Sequence, residues 1–455
     1  MRKYHMKINR EGTVVTSKVS CIAAGDVFIS RRLPERRYEG FEEFRQLVLQ
    51  HEVRFANLEI LFLDDEGYPG SSSGTYAMGP PAAIDDVKSL GFNLFNTAIN
   101  HSLDFSHNGL VSHLDNLRRH DILHAGAGMN LAEASAPAYL ECKDARVGLI
   151  GACSTLGSNL PAGIQRRDMR GRPGANPLGF ETRYGITAAQ LEYLKDIAKD
   201  TNINVSHENY VRAGFQIAVK DGYYFGGSVF SESETPGMTT RVLENDMQRI
   251  IDSIHEMRRQ ADYAIVSIHS HESAPTGANA PPEFLREFCR RCIDEGASVV
   301  IGHGPHRVRG VELYGKGVIF YSLGNVLFEN DTVRLQPADF YQHYSLPVDS
   351  QVGEGLDARE KSGAEARKRS GMSDGANNAE PGLYETVLAT WDFEDGCILN
   401  VRLHPVSLGA QLPRYRRGLP SLSKDEGILR YIDELSREYS TGIEIKDGVG
   451  YVGSL

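Results

Sequence analysis

Residues 263–272 read YAIVSIHSHE. The apolar run is too short for a helix and suits a buried strand, and it stops at His269. Beyond it stand Ser270, His271 and Glu272, all able to bind a ligand. His269 and His271 are two apart, so on an extended chain they face the same side. The same pattern recurs outward in both directions. Residues 19–24 (VSCIAA) run into Gly25-Asp26, residues 53–56 into Asn57-Leu58-Glu59, and residues 93–98 (NLFNTA) lead to Asn100-His101. Residues 298–301 end in Gly302-His303-Gly304-Pro305-His306. Amphipathic stretches lie between these runs, at 41–50, 82–90, 110–119, 242–259 and 282–295, the last with proline in its first turn. Further apolar runs at 146–152 and 318–322 read as strands. Strand–helix alternation of this kind predicts an α/β layered fold.

Composition narrows the function classes. The 455 residues carry 49 Lys+Arg against 60 Asp+Glu, a net charge of −11, which disfavours a phosphate-backbone partner and argues against nucleic acid. Hydrophobic residues make up 41%, enough for a packed core rather than a disordered chain. Six cysteines in this length are too sparse for a disulfide scaffold. Cys21, Cys142 and Cys153 read as core residues, and Cys289 and Cys292 form a C-x-x-C on an expected helix with no second pair, which disfavours metal or redox use. No stretch has the roughly 18 consecutive apolar residues of a membrane span. Residues 1–20 are basic without an apolar core, so the expected location is cytoplasmic. Residues 155–184 are rich in Gly, Pro, Asn and Arg and predict a long loop. Residues 187–234 predict an inserted helix with polar hairpins, and 350–382 a flexible low-complexity insertion. Residues 384–403 alternate like an antiparallel ribbon, and 424–440 predict a last helix.

Five strand ends carry carboxylate, amide or imidazole groups. In open α/β sheets ligands bind beyond the carboxyl ends of the strands, where residues distant in sequence converge. This donor set suits Zn, Mn or Fe. Any one of these residues is equally compatible with a turn, a helix cap or a core histidine; the five together point to a metal site. Asp104 either orients His101 or caps the following turn. Arg172 either binds a substrate anion or is a solvated loop residue, and Asn325 either lines the site or holds a turn. Arg307 and Arg309 are expected at the surface, and His107, His113, His120 and His124 at ordinary polar positions.

Several stretches carry a resemblance. Gly25-Asp26, Ala56-Asn57-Leu58-Glu59, residues 96–105 (NTAINHSLDF) and Gly126-Ala127-Gly128 are followed by residues 269–272, 302–306 and Tyr321-Ser322-Leu323-Gly324-Asn325. In that order, over residues 18–330, they resemble the CapA family, capsule-synthesis proteins tied to poly-γ-glutamate with a calcineurin-like metallophosphoesterase fold. The resemblance implies a four-layer α-β-β-α sandwich with an inserted region at about 155–240. Residues 383–455 would then complete the fold as a β ribbon and helix. It also implies one or two divalent ions. Asp26 and His306 would hold the first, Asn100, His269 and His303 the second, and Glu59 would bridge them. His101 would be the acid. Two departures stand out. The first motif, Asp26-Val27-Phe28, lacks the usual histidine, and His269-Ser270-His271-Glu272 replaces H-W-G-x-E, so His271 either adds an imidazole or acts as a base.

The function implied is metal-dependent hydrolysis or transfer at a phosphoester or a peptide or γ-glutamyl amide, related to poly-γ-glutamate (capsule) biosynthesis. The catalytic candidates are His101, Asp104 and His271. The expected substrate is a small molecule, a peptide or a γ-glutamyl polymer. The alternatives are an epimerase-like enzyme moving a proton at a peptide α-carbon, motivated by the missing histidine, and a non-enzymatic binding module.

Overall fold

The computed structural model describes residues 18–455 except 36–37, 71, 73, 158 and 370–381. Two sheets form its centre. One has ten strands and runs from the edge strand Thr441–Lys446 through Val449–Ser454, Cys397–Ser407, Glu385–Glu394, Lys18–Phe28, Val53–Leu58 and Leu94–Asn96 to His124–Ala125. Asn325–Phe328 also pairs with Lys18–Phe28, in parallel. The other has six strands, in the order Val311–Tyr314, Gly317–Phe320, Val299–His303, Tyr263–His269, Arg146–Cys153, Ala138–Glu141. Tyr263–His269 is buried along its whole length, as expected of a strand with parallel neighbours and covered faces.

Three apolar clusters separate four layers. Between the sheets lie Val53, Phe55 and Leu94 from one side and Leu149, Ile265, Ile301 and Phe320 from the other. The outer face of the larger sheet is covered by Phe41–Leu49 and Ala83–Ser89, through Phe44, Val48, Ile84 and Val87. The outer face of the smaller sheet is covered by Glu244–Gln260 and Glu283–Asp294, through Ile250, Ile254, Phe284 and Phe288. Each such side chain contributes roughly 1.5–3 kcal/mol by leaving water. The fold is therefore the four-layer α-β-β-α sandwich. Cys289 and Cys292 are buried in the outer cluster as free thiols, and burial pushes both pKa values up. The helix Gly427–Ser436 closes the gap between the sheets with Ile428, Leu429 and Ile432.

Residues 155–240 differ in detail from a loop with hairpins. Phe180–Ile186, Tyr223–Phe225, Ser228–Glu232 and Gly237–Val242 form a four-stranded sheet, accompanied by the helices Ala188–Thr201 and Val205–Arg212. Thr187 and Gln190 form a capping box at the first of these helices. The chain after 383 does not stand apart, because Glu385–Glu394 pairs directly with Lys18–Phe28. The expected flexible insertion at 350–382 needs correction. Val352–Arg369 is a helix, because its Ala, Glu, Lys and Arg residues favour one and Leu356 packs on Phe340 and Tyr341. Residues 370–381 of that insertion lie outside the described residues.

Candidate metal centre

Strand register builds the site. Across the larger sheet Asn325 pairs with Asp26, Asp26 with Asn57, and Asn57 with Asn96. Across the smaller sheet Cys153 pairs with His269 and His269 with His303. Apart from Asn325, which opens its strand, the residues of both rows sit at or near the carboxyl ends of parallel strands, and the sandwich brings them together at one rim. Gly25 permits the approach on the first row, since a Cβ there would stand 1.8 Å from the carbonyl oxygen of Gly324. Gly304, at φ +113°, turns the chain after His303 and donates its N–H to Asp26 Oδ2 at 3.0 Å.

Asp26, His269 and His303 form one group of candidate ligands, all buried. Asp26 Oδ1 accepts from Asn57 Nδ2 at 2.7 Å, and Asn96 Nδ2 donates in turn to Asn57 Oδ1 at 2.6 Å. His269 Nδ1 lies 3.0 Å from His303 Nδ1, and each lies within 4.0 Å of Asp26 Oδ1. Ser267 Oγ is 2.6 Å from His303 Nε2 and holds the far side of that ring. Burial pushes His303 down to about 3 and lowers His269 as well, with His271 and His303 adding to the effect on the latter. These imidazoles are neutral at pH 7, the state that ligates a metal.

Glu59, His271 and His306 form the second group. Glu59 is fully buried, and neither of its carboxylate oxygens has a hydrogen-bond partner among the described residues. Four imidazoles surround it instead. His306 Nδ1 is 3.4 Å away, and Nε2 of His269, His271 and His101 are 3.6, 3.8 and 4.0 Å away. Asn100 Oδ1 and His271 Nε2 lie 2.9 and 3.1 Å from His269 Nε2, joining the two groups. Burial and then the charge of Asp26 push the Glu59 pKa well up, and burial holds Asp26 at about 7 despite the Asn57 and Gly304 hydrogen bonds. Two buried acids facing the neutral imidazoles of His269, His271, His303 and His306 are short of compensating positive charge, and a divalent cation would supply it. The mixed oxygen and nitrogen donors fit such an ion.

His101 is placed differently. Its Nδ1 lies 2.7 Å from Asp104 Oδ2, which also accepts the N–H of Ala77 at 2.8 Å. Burial pulls the His101 pKa down, but the charge and hydrogen bond of Asp104 outweigh this and leave it raised. Its Nε2 faces Glu59, and the side chain lines a cleft of about 380 Å³ with Asn100, Asp104, Thr155, Gly70 and Ser72.

The structure thus gathers Asp26, Glu59, Asn100, His101, His269, His271, His303 and His306 at one place, with Asp104 behind His101. His271 stands beside Glu59 and His306, on the ligand side of the site rather than against Asp104. Asn325 holds the His306 ring through Oδ1 at 2.9 Å, and His306 itself adopts φ +57°. Arg172 is not brought in, since its Nε donates to the carbonyl of Pro161. Sequence reasoning missed Asn57, Asn96 and Ser267 as supports. Their signal was an amide or hydroxyl inside an apolar strand, at or near its carboxyl end. The expectations of a surface Arg309 and of an ordinary polar position for His113 need correction. Arg309 is 1% exposed, and its Nη2 donates to the carbonyls of Glu272 and Ala278 at 2.7 and 3.2 Å, tying down the loop after His271. His113 is 1% exposed and accepts the N–H of Phe62 at 3.0 Å.

The chain is similar to several known proteins. The uncharacterized proteins y4sH and y4uA of Sinorhizobium fredii are each 31% identical to this chain over 451 residues, covering 97% of it and 94% of their own lengths. The PGA biosynthesis protein CapA of Bacillus subtilis is 22% identical over 262 residues, 58% of this chain and 49% of its own. Among solved structures, a hypothetical protein from Thermus thermophilus aligns with 85% of this chain and 98% of its own, at 10% identity and a TM-score of 0.37. Residues 20–330, which hold every ligand candidate, match the family described as bacterial capsule synthesis protein PGA_cap, and the chain belongs to that family.

Proposed function

We propose that this protein is a metal-dependent hydrolase or transferase acting at a phosphoester or a γ-glutamyl amide, within biosynthesis of a poly-γ-glutamate type polymer. The observation that carries this reading is Glu59, a fully buried carboxylate whose two oxygens have no hydrogen-bond partner among the described residues while four imidazoles face it. Asp26, His269 and His303 would hold one ion, Glu59, His271 and His306 a second, and Asn100 stands at their junction. His271 would add an imidazole to the second group, where the first motif lacks its histidine. Bound there, a divalent ion supplies Lewis acidity and lowers the pKa of a water.

The chain's own residues do the rest. His101 carries a proton on Nδ1 toward Asp104, which fixes the ring and favours the imidazolium. Its Nε2–H, on the side facing Glu59, would then donate a proton to the leaving oxygen or nitrogen. Asp104 is itself held by the Ala77 N–H, so the dyad is preset before substrate arrives. Among the described residues no helix is long and apolar enough to cross a membrane, which is compatible with action on a soluble substrate in the cytoplasm; cell fractionation tests that location.

Elemental analysis of the purified protein, paired with turnover of a phosphoester panel and of γ-glutamyl peptides before and after chelation, tests the function. One or two equivalents of a transition metal and chelator-sensitive turnover are expected. Full turnover by metal-free protein would overturn the reading.

A further inference from the structure

Glu272 follows the candidate ligand His271 directly but belongs to neither ligand group. Three hydroxyls converge on its carboxylate instead. Ser154 and Ser270 donate from Oγ to its Oε2 at 2.7 and 2.9 Å, and Thr155 donates from Oγ1 to its Oε1 at 2.9 Å. Ser154 and Thr155 come just after the strand Arg146–Cys153, and Ser270 and Glu272 just after its parallel neighbour Tyr263–His269. One carboxylate therefore ties together the two chain segments that leave adjacent strands at the rim of the site.

Thr155 carries this tie inward. A hydroxyl has one proton and two lone pairs. The Thr155 proton goes to Glu272, which leaves its lone pairs for the backbone N–H of His271, accepted at 2.9 Å. The strand ends at His269, so this hydroxyl fixes the His271 amide where strand pairing has stopped. From the other side Arg309 Nη2 donates to the Glu272 carbonyl at 2.7 Å and to Ser273 Oγ at 3.2 Å. His271 needs such support more than its partners do. Its side chain is 29% exposed, against 22% for His306 and 0% for Asp26, Glu59, His269 and His303. Asn325 and Ser267 hold the rings of His306 and His303, whereas His271 is held through its backbone. With the amide fixed, His271 Nε2 stands 3.1 Å from His269 Nε2 and 3.8 Å from Glu59 Oε1. Thr155 also lines the cleft with Asn100 and His101.

We propose that Glu272, acting through the Thr155 hydroxyl, is the positioning residue that makes His271 a metal ligand, and that this relay governs occupancy of the second group (Glu59, His271, His306) apart from the first. The inference rests on the functional reading above and deepens it, by naming what outside the ligand set controls one ion. Ser270, His271 and Glu272 then work as a unit. The histidine supplies the imidazole, and the serine and glutamate fix the backbone that carries it.

The test uses the full-length protein, stripped with a chelator and titrated calorimetrically with zinc and with manganese, with bound equivalents counted by elemental analysis. His271→Ala identifies the ion that depends on this imidazole, by the equivalent it loses. Thr155→Val keeps the shape of the side chain and removes the hydroxyl. It should weaken that same equivalent about 10–100-fold and leave any other unchanged. Glu272→Ala should weaken it to a similar degree, and Thr155→Ser should keep wild-type affinity. Thr155→Val combined with His271→Ala should bind as His271→Ala alone. A merely structural role would not give that last result, because a general loss of order weakens both groups and persists without His271. Melting temperatures in chelator control for folding, and Thr155→Val carries the test if Glu272→Ala does not fold. The inference is overturned by a His271→Ala protein that loses no equivalent, by a Thr155→Val protein with wild-type affinity, or by a Thr155→Val effect that remains in the His271→Ala background. Wild-type protein that binds no divalent ion overturns both this inference and the functional reading. Chelator-sensitive turnover of a chromogenic phosphomonoester, measured in parallel, reports on the functional reading alone. If turnover is absent while the Thr155 effect on metal binding holds, that reading fails and the positioning role stands.

Discussion

Replacing Glu59 by glutamine separates the metal's contribution from that of the fold. The side chain keeps its shape and loses its charge in a fully buried position, where both oxygens lack a hydrogen-bond partner among the described residues. A buried polar group left unsatisfied costs about 1–3 kcal/mol, and more if charged. In chelated protein burial and Asp26 already push the Glu59 pKa well up and favour its neutral form, so E59Q should match the wild type in stability to within roughly 1–3 kcal/mol. In metal the two diverge. At a metal concentration about 1,000 times Kd the wild type gains about 4 kcal/mol, and a variant bound roughly 100-fold more weakly gains only about 1.4 kcal/mol. Thermal melts with chelator and with manganese or zinc, alongside elemental analysis, read both arms. An E59Q protein that retains its metal equivalents, or whose chelated form melts well below chelated wild type, would refute the reasoning.

Asp104→Asn should lower kcat about 100-fold or more by removing the charge that sustains the His101 imidazolium, while metal equivalents stay unchanged; steady-state kinetics with elemental analysis check this. Gly25→Ala places a Cβ 1.8 Å from a backbone oxygen that cannot step aside, so a loss of about 3 kcal/mol or more is expected in denaturant titration. His113 gives a pH signature independent of the metal. Burial holds its folded pKa at about 3, below the unfolded 6.5, so the unfolded chain takes up the proton first. The His113 contribution is complete above pH 6.5 and fades as pH falls toward 3, with about 2 kcal/mol lost between pH 7 and pH 5. His113→Gln, whose amide oxygen can still accept the Phe62 N–H, should flatten that part of the acid-stability profile.

Much of the site was legible because its residues stop apolar strands. A strand of parallel-sheet type is recognisable from a short apolar run, and a histidine or carboxylate at its end is conspicuous. Asp26, Glu59, His269 and His303 stand out in this way, and His306 enters through the Gly302–His306 motif of the family resemblance. Asn57 and Asn96 were harder, because an amide near a strand end also suits a turn. Only the pairing of Asp26 with Asn57, and of Asn57 with Asn96, shows them as one hydrogen-bonded row. Arg309 and His113 were misjudged because burial of a polar side chain depends on what covers it. The partners of Arg309 come from the loop at 272–278, and that of His113 from Phe62. The helix Val352–Arg369 was misjudged because its composition is polar on most faces, and a single buried leucine fixes it.

The amino-acid sequence alone determined the α/β class, the strand ends and the chemical types of the candidate ligands, because these depend on local periodicity and residue chemistry. Which candidate ligands lie together, and whether His271 joins them, was decided only by tertiary structure. The rows bearing Asp26 and His269 belong to different sheets, and the contact of Asp26 with Gly304 spans 278 residues. Contacts at that separation depend on strand register and on how one sheet lies across the other, and no local pattern encodes either.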